Sequence, residues 1–202
     1  NAAPISVVAE YLVSSMAAQC MLWQTSPAAT ELEGKVLDWL RQGVGLPEGF
    51  SGVIQDSASS ATLAAVLTMR ERALNWQGNK QGLSDAGRLR IYCSAEVHTS
   101  IDRAIWVSGI GEENLVRIPV TGPNRGLDIE GLQAAIELDR AEGFIPAGFI
   151  ASVGGTSAGA SDDLEAALAV AKAEGLYTHV DAAWAGSAMI CPEFRHYWQG
   201  VE

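Results

Sequence analysis

The sequence has little of what marks several large classes of protein. Only 13 of its 202 residues are lysine or arginine, against 24 aspartate or glutamate, so the net charge is −11. Nucleic acids and anionic membranes attract basic surfaces, and this charge argues against either as a partner. No apolar run reaches the roughly 18 residues expected of a membrane span. No basic stretch precedes an apolar core near the N-terminus, so no signal peptide is expected.

Cysteine is scarce and odd in number, since Cys20, Cys93 and Cys191 are the only three and lie far apart. This spacing argues against a disulfide framework and a zinc site, and it favours a reducing cytoplasm. We interpret all three as small buried hydrophobic residues. No His-Glu-x-x-His motif is present, so no metal site is predicted. A dinucleotide-binding site is not favoured either. Gly109 and Gly111 are the nearest match to its glycine fingerprint, but they follow a predicted helix and lack the third glycine.

The hydrophobic content of 48% and charged content of 18% are typical of a globular chain. Apolar spacing predicts helices over residues 5–22, 29–43, 59–76, 97–108, 128–142 and 161–174. Strands are predicted over residues 89–93, 115–120, 147–153 and 177–182. From about residue 59 onward helices and strands alternate, which predicts an α/β fold with a mostly parallel sheet buried on both faces by helices. Ligands of such sheets bind beyond the carboxyl ends of the strands.

Asp181 stands at the end of an apolar strand and is followed by small residues. A carboxylate at the end of a buried strand needs a partner, and a cationic ring nitrogen would be a suitable one. His179 is two residues earlier and faces the same side of the strand, where it either supports the carboxylate or only packs.

Small hydroxyl residues open the long helix that begins near residue 59, in the segment Gln55-Asp56-Ser57-Ala58-Ser59-Ser60-Ala61-Thr62. The free amides of a first helical turn and the helix dipole make a cradle for an anion. A plain serine N-cap is the alternative interpretation. The segment is not a P-loop, because no Gly-Lys-Ser/Thr follows.

Two further segments follow predicted strands. His98 comes after the strand at residues 89–93, where its imidazole could stack on a planar ring, handle a proton or serve only a structural role. The small residues 154–160 follow the strand at residues 147–153. Such a loop lets a ligand approach the backbone closely, or it is a simple turn between strand and helix.

Together these segments resemble the group II pyridoxal-phosphate-dependent decarboxylases of the aromatic-L-amino-acid decarboxylase type. The resemblance runs from about residue 26 to residue 202. It is carried, in order along the chain, by residues 25–33, 57–59, 98, 154–157 and 179–196.

The resemblance implies a fold-type I, aminotransferase-like large domain with pyridoxal 5′-phosphate as cofactor. A helical segment at residues 1–45 would lead into a partial cofactor-binding domain at residues 46–202. The implied cofactor contacts are Ala58 and Ser59 to the phosphate, His98 stacked on the ring, Thr156 against the ring or its hydroxyl, Asp181 at the ring nitrogen, and Ala183 beneath the ring. His98 and Asp181 are the implied catalytic residues.

The implied activity is decarboxylation of an L-amino acid, with an aromatic one favoured, in a cytoplasmic homodimer. The family's lysine that bonds to the cofactor lies in an Asn-Pro-His-Lys block, which this sequence does not contain. Its only lysines are Lys35, Lys80 and Lys172. The missing lysine and C-terminal domain are therefore expected from further residues or a complementing chain. A decarboxylase of acidic or diamino acids, an aldehyde synthase and a non-catalytic, lysine-less chain stay open as alternatives.

Overall fold

The computed structural model describes residues 2–84 and 86–202. The chain divides into two compact units, residues 1–54 and residues 55–202. The predicted division into a helical segment at residues 1–45 and a cofactor-binding domain at residues 46–202 stays a prediction. Residue 1 of the first range lies outside the described part of the chain. No helix among the described residues is long and apolar enough to cross a membrane.

The first unit holds two helices, α1 (Pro4–Met16) and α2 (Pro27–Val44). Each begins with a proline, which suits the first turn of a helix because its missing N–H would have no partner there. The predicted helix over residues 5–22 is wrong beyond Met16. Ala17 takes a left-handed φ of 50°, which ends the helix. The Thr25 hydroxyl then donates to the carbonyl oxygen of Gln19 at 2.8 Å, and this bond helps fold the connecting segment into turns.

The second unit alternates strands and helices as predicted. Its helices are α3 (Ala58–Ala73), α4 (Gly78–Gln81), α5 (Ser100–Ser108), α6 (Ile129–Ala141) and α7 (Leu164–Ala173). Its strands are β1 (Leu89–Ser94), β2 (Leu115–Ile118), β3 (Val120–Thr121), β4 (Gly126–Leu127), β5 (Ile145–Ser152) and β6 (Tyr177–Asp181). Two 3-10 helices follow at Gly186–Ile190 and Pro192–Trp198.

Four strands form one parallel sheet in the order β2-β1-β5-β6, which confirms the predicted α/β class. On one face, Met69 of α3 and Ile105 of α5 are fully buried in a cluster with Ile91 of β1. Helix α3 packs closely because β5 carries Gly148, where a Cβ would lie 2.4 Å from the Met69 sulfur. Helices α6 and α7 pack together against the sheet strands.

Two strands differ from the prediction. The strand expected over residues 115–120 ends at Ile118, because Pro119 has no N–H to continue the ladder. Val120 and Thr121 pair antiparallel with β4 instead. Strand β6 was expected to be buried, but all five of its residues are half-buried. The reason is its position at one end of the strand order among the described residues.

Candidate functional site

A cavity of about 220 Å³ lies at the carboxyl ends of β1, β5 and β6. All six residues predicted to bind a cofactor line it, namely Ala58, Ser59, His98, Thr156, Asp181 and Ala183. Ser100, Ser152, Gly154, Gly155 and Trp184 complete the lining. The structure therefore brings together side chains that are more than 120 positions apart in the sequence, at the edge of the sheet where ligands of parallel sheets bind.

Other clefts among the described residues are larger than this cavity. One, of about 570 Å³, lies within the first unit beside α2 and is lined largely by leucine, valine and phenylalanine. Another, of about 640 Å³, lies at the starts of α6 and α7 and is lined by several aspartates and glutamates together with His196. The smaller cavity is the better candidate, because its imidazole, carboxylate and helix N-terminus meet at the carboxyl ends of three parallel strands, where such sheets bind their ligands.

The start of α3 forms one wall of the cavity. Ser57 is the N-cap, with an extended backbone, and its Oγ accepts the Ser60 N–H at 3.3 Å. Within the described residues, the backbone amides of Ala58 and Ser59 have no acceptor. No lysine or arginine lines the cavity. Free amides at the positive end of a 16-residue helix can therefore hold an anion without a side-chain cation.

His98 lies in the loop between β1 and α5. The helix predicted to begin at residue 97 begins at Ser100, so His98 precedes it. The backbone N–H of Ser100 donates to His98 Nδ1 at 3.2 Å. The Ser100 Oγ lies 3.0 Å from the same nitrogen. Since an N–H can only donate, Nδ1 is the acceptor, and the proton of the neutral ring sits on Nε2.

Asp181 ends β6 and faces the cavity with a half-buried carboxylate. Its Oδ1 accepts the Ala183 N–H at 3.2 Å, and its carbonyl oxygen accepts the Val153 N–H at 3.0 Å. No ion pair within the described part of the chain includes Asp181. The carboxylate is thus held in place by the backbone, and its charge is not matched by a cation of the described chain.

His179 does not support Asp181 through a hydrogen bond in the described part of the chain. Burial lowers the pKa of His179, and the charge of Asp181 opposes that shift. A lowered pKa favours the neutral imidazole. The two side chains therefore interact through space, and of the two interpretations of His179, packing fits the structure better.

The loop after β5 is tied at both ends and carries Thr156. The Gly154 N–H donates to Ser161 Oγ at 3.0 Å, and the Gly155 N–H donates to the Ala160 carbonyl at 2.7 Å. Gly154 has a φ of +71°, and a Cβ there would lie 2.2 Å from the Ala185 Cβ. Glycine is needed at this position both for the turn and for the close approach of the segment after Asp181.

Asp162 also holds the same loop in place, and the sequence did not reveal this role. The helix predicted from residue 161 begins at Leu164, and its cap is Asp163, which accepts the Ala166 N–H at 3.1 Å. Asp162 is buried, and its two oxygens accept the N–H groups of Leu127 at 2.8 Å and Ser152 at 2.7 Å. Burial raises the pKa of Asp162, against the opposing effect of these two donors.

Ser100 was also missed as a cavity residue. It stands in the same segment as His98, two positions later, but a serine at the start of a helix is commonly a simple cap. The signal that could have identified it is the spacing, since a side chain can bond to the backbone two residues away.

The cysteine and lysine residues lie outside the cavity lining. Cys93 is buried, and burial raises its pKa to about 12. Cys20 and Cys191 are exposed, so the expectation that all three cysteines are buried is wrong for these two. Cys20 lies in the turns after α1, and Cys191 lies between the two 3-10 helices. The three lysines are absent from the lining as well.

The fold and the cavity define an α/β protein of fold-type I, with a parallel sheet whose carboxyl edge carries the site. The family model of the pyridoxal-dependent decarboxylase conserved domain matches residues 2–202. The chain belongs to this family.

Individual relatives agree with that assignment. The chain is 42% identical over 188 residues to tryptophan decarboxylase 2 of Oryza sativa subsp. japonica, covering 89% of this chain and 37% of the relative. It is 40% identical over 209 residues to phenylacetaldehyde synthase of Arabidopsis thaliana, covering 100% of this chain and 42% of that protein. The crystal structure of Catharanthus roseus tryptophan decarboxylase in complex with L-tryptophan superposes with a TM-score of 0.91 at 37% identity, covering 100% of this chain and 44% of that one. The chain thus spans about two fifths of the length of these relatives.

Proposed function

We propose that the protein containing this chain uses pyridoxal 5′-phosphate to decarboxylate an L-amino acid, with an aromatic one favoured. The observation that carries the proposal is the composition of the cavity. A carboxylate without a cationic partner in the described chain, an imidazole and two free helix amides share one space. A ligand with a phosphate at one end and a protonated ring nitrogen at the other matches these groups. Membership of the family supports the same chemistry.

The phosphate end of the ligand would lie at the start of α3. The amides of Ala58 and Ser59 point out of the first turn, and the Ser59 hydroxyl adds a further donor. The dipole of α3 favours a negative charge at this end. Because no cationic side chain lines the cavity, these groups would carry the binding of the phosphate.

The ring end would lie at the carboxyl ends of the strands. Asp181 would pair with the ring nitrogen and keep it protonated, while His98 and Ala183 enclose the ring from its two faces. Thr156 would contact the ring or its hydroxyl from the loop after β5. When bound, the cofactor supplies a sink for the electron pair that remains after carbon dioxide leaves. The carboxylate of Asp181 would stabilise that sink, because it is fixed beside the position where positive charge is needed.

The remaining features of the proposal concern the assembled protein. The lysine that bonds to the cofactor would come from the rest of the protein or from a complementing chain, since the three lysines here lie elsewhere. We propose a homodimer whose small-molecule substrate is an amino acid and which works in the cytoplasm. The free, exposed thiols of Cys20 and Cys191 suit a reducing compartment.

An aldehyde synthase is the second candidate, because one of the similar relatives is named for that activity. Acidic or diamino acids are alternative substrates, since a glutamate decarboxylase domain from Vibrio parahaemolyticus also shares the fold at 28% identity. A chain that binds the cofactor without catalysis is the remaining alternative.

The deciding experiment incubates the complete protein, loaded with pyridoxal phosphate, with a panel of aromatic, acidic and diamino L-amino acids. Carbon dioxide and the amine are measured together with any aldehyde. Release of the amine from an aromatic amino acid is the expected result. Aldehyde in place of the amine identifies the second candidate, and bound cofactor without either product identifies the non-catalytic alternative.

Asp181→Asn tests the proposed site directly. The amide keeps the size of the side chain but loses the charge, so we expect turnover to fall by about 10²-fold or more while the thermal midpoint changes little. Asp128→Asn is the matched control, because Asp128 lies outside the cavity, at the start of α6. Near-normal turnover in Asp181→Asn would overturn the assignment of this residue.

A further inference from the structure

The side chain of Ser100 lies between the helix α5 and the imidazole of His98. Ser100 is the first residue of α5 and only 4% of its surface is exposed. Its Oγ lies 3.0 Å from His98 Nδ1, and its backbone N–H donates to the same atom at 3.2 Å. The backbone N–H leaves Nδ1 no role but that of acceptor, so the Ser100 hydroxyl is a second donor to it.

Helix α5 gives Ser100 a fixed position. Ile101 and Ile105 are fully buried in the core between α3 and the sheet. His98 itself is exposed and lies in the loop before α5, so it lacks comparable packing. Among the described residues, Ser100 is the hydrogen-bond partner that sets the orientation of the His98 ring.

We propose that Ser100 is a positioning residue that fixes the plane and the tautomer of His98. The two bonds to Nδ1 keep the proton of the neutral ring on Nε2 and hold the ring against the cavity that Ser100 also lines. This inference rests on the proposed function, in which His98 stacks on the cofactor ring. In that arrangement Ser100 prevents the imidazole from rotating away and leaves Nε2–H as the only donor that the ring can offer to a ligand.

The test uses the complete protein with Ser100→Ala, Ser100→Thr and the control Ser108→Ala. Ser108 is a buried serine at the other end of α5, where its Oγ donates to the Ile105 carbonyl at 2.9 Å. We expect Ser100→Ala to raise the dissociation constant of pyridoxal phosphate roughly three- to tenfold and to weaken the visible circular dichroism of the bound cofactor. Ser100→Thr keeps the hydroxyl, so its dissociation constant and its dichroism should both be close to those of the wild type. Ser108→Ala should leave the dichroism unchanged.

A double-variant cycle separates positioning from a general structural effect. His98→Phe keeps an aromatic ring at this position but removes Nδ1. Adding Ser100→Ala to this variant should therefore not change the dissociation constant of pyridoxal phosphate further. An equal effect of Ser100→Ala with and without His98 would overturn the proposal. So would a Ser100→Ala protein that is indistinguishable from wild type.

A cofactor-free measurement keeps this inference distinguishable from the proposed function. In ¹⁵N spectra of the histidine-labelled protein, the signal of His98 is assigned by its loss in His98→Phe. We expect the Nε2–H tautomer in the wild type and Ser100→Thr, and a mixture of tautomers in Ser100→Ala. Failure of the wild type to bind pyridoxal phosphate would refute the proposed function, while unchanged spectra in Ser100→Ala would refute the role of Ser100.

Discussion

Gly154 shows how one residue without a side chain shapes the cavity. Its positive φ starts the turn after β5, and the absence of a Cβ lets Ala185 approach. Gly159 in the same loop also has a positive φ, of +65°, but open space surrounds it. Substituting each glycine in turn therefore separates two contributions to the free energy of unfolding, that of the left-handed backbone and that of a steric clash.

Gly154→Ala should destabilise the protein more than Gly159→Ala does. A left-handed alanine costs about 1–2 kcal/mol at either position. The clash with Ala185 adds about 1–3 kcal/mol at Gly154 alone. Thermal or urea unfolding of the two variants of the complete protein measures the difference. Equal destabilisation would contradict the packing described around Gly154.

His98 and Asp181 could be predicted at the residue scale, because His98 follows one apolar strand, Asp181 ends another, and parallel strands end at one edge of the sheet. Thr156 was found through the family pattern. The role of Asp162 could not be predicted, since its donors Leu127 and Ser152 are 35 and 10 positions away in the sequence. Only the folded chain shows which of two adjacent aspartates is buried.

At the element scale, the start of α3 combines a stabilising cap with an anion cradle. The cap is the bond from the Ser60 N–H to Ser57 Oγ, and the cradle is the pair of free amides that follows. The same few atoms therefore serve stability and binding, and substitutions at Ser57 can distinguish the two.

Ser57→Ala should lower the free energy of unfolding by about 1 kcal/mol, because the cap is lost. Ser57→Asp keeps a capping oxygen and should stay within about 0.5 kcal/mol of wild type. Its negative charge, however, repels a phosphate at the same helix end and should weaken binding of pyridoxal phosphate by about tenfold or more. Unfolding curves and cofactor titrations of the complete protein check the pair. Unimpaired binding by Ser57→Asp would place the phosphate elsewhere.

The link from Asp162 to β4 and β5 gives these elements a pH-dependent stability. Burial raises the pKa of Asp162 in the folded protein, so its stabilising contribution is complete below the unfolded pKa and is lost as pH rises through the folded pKa. Asp162→Asn has no such titration. The stability advantage of the wild type over Asp162→Asn should therefore shrink as pH rises above the usual aspartate range. Thermal midpoints of both proteins between about pH 4 and pH 8 test this, and a growing advantage would be the contrary result.

The periodic elements were predictable from the sequence because buried faces impose a spacing on apolar residues. The exceptions have physical causes that periodicity does not record. Ala17 ends α1 in a left-handed conformation without a glycine, and Pro119 breaks an apolar run that otherwise continues to Val120. The half-burial of β6 depends on which strands lie beside it, and a single strand cannot show that.

At the scale of the whole molecule, α1 presents an uncovered apolar face. None of its residues is buried, and Ile5, Val8, Leu12 and Met16 are each more than half exposed. Exposed apolar surface of this kind is typical of a protein–protein contact. A homodimer, as proposed above, would give this face a partner.

Val8→Ser together with Leu12→Ser should weaken the dimer of the complete protein. Each side chain is 54% exposed and would contribute roughly 1 kcal/mol if an interface covered it, so the dissociation constant should rise about tenfold or more. Leu138→Ser is the control, since Leu138 is an exposed apolar residue on α6 of the other unit. Sedimentation across a concentration series measures the effect. An unchanged dissociation constant of the dimer would show that α1 lies outside the interface.

The order β2-β1-β5-β6 also sets the time at which the cavity can exist during synthesis. The pairing of β1 with β5 joins residues more than 50 positions apart, and Asp181 follows only at the end of β6. Such long-range pairing is slow, because a large loop must close before its contacts form. A ribosome must therefore have released residues 58–183 before the helix amides, the imidazole and the carboxylate can meet. Binding of the cofactor by a nascent chain would thus report that the four strands have paired. Ligand binding could therefore be used to time this step of folding.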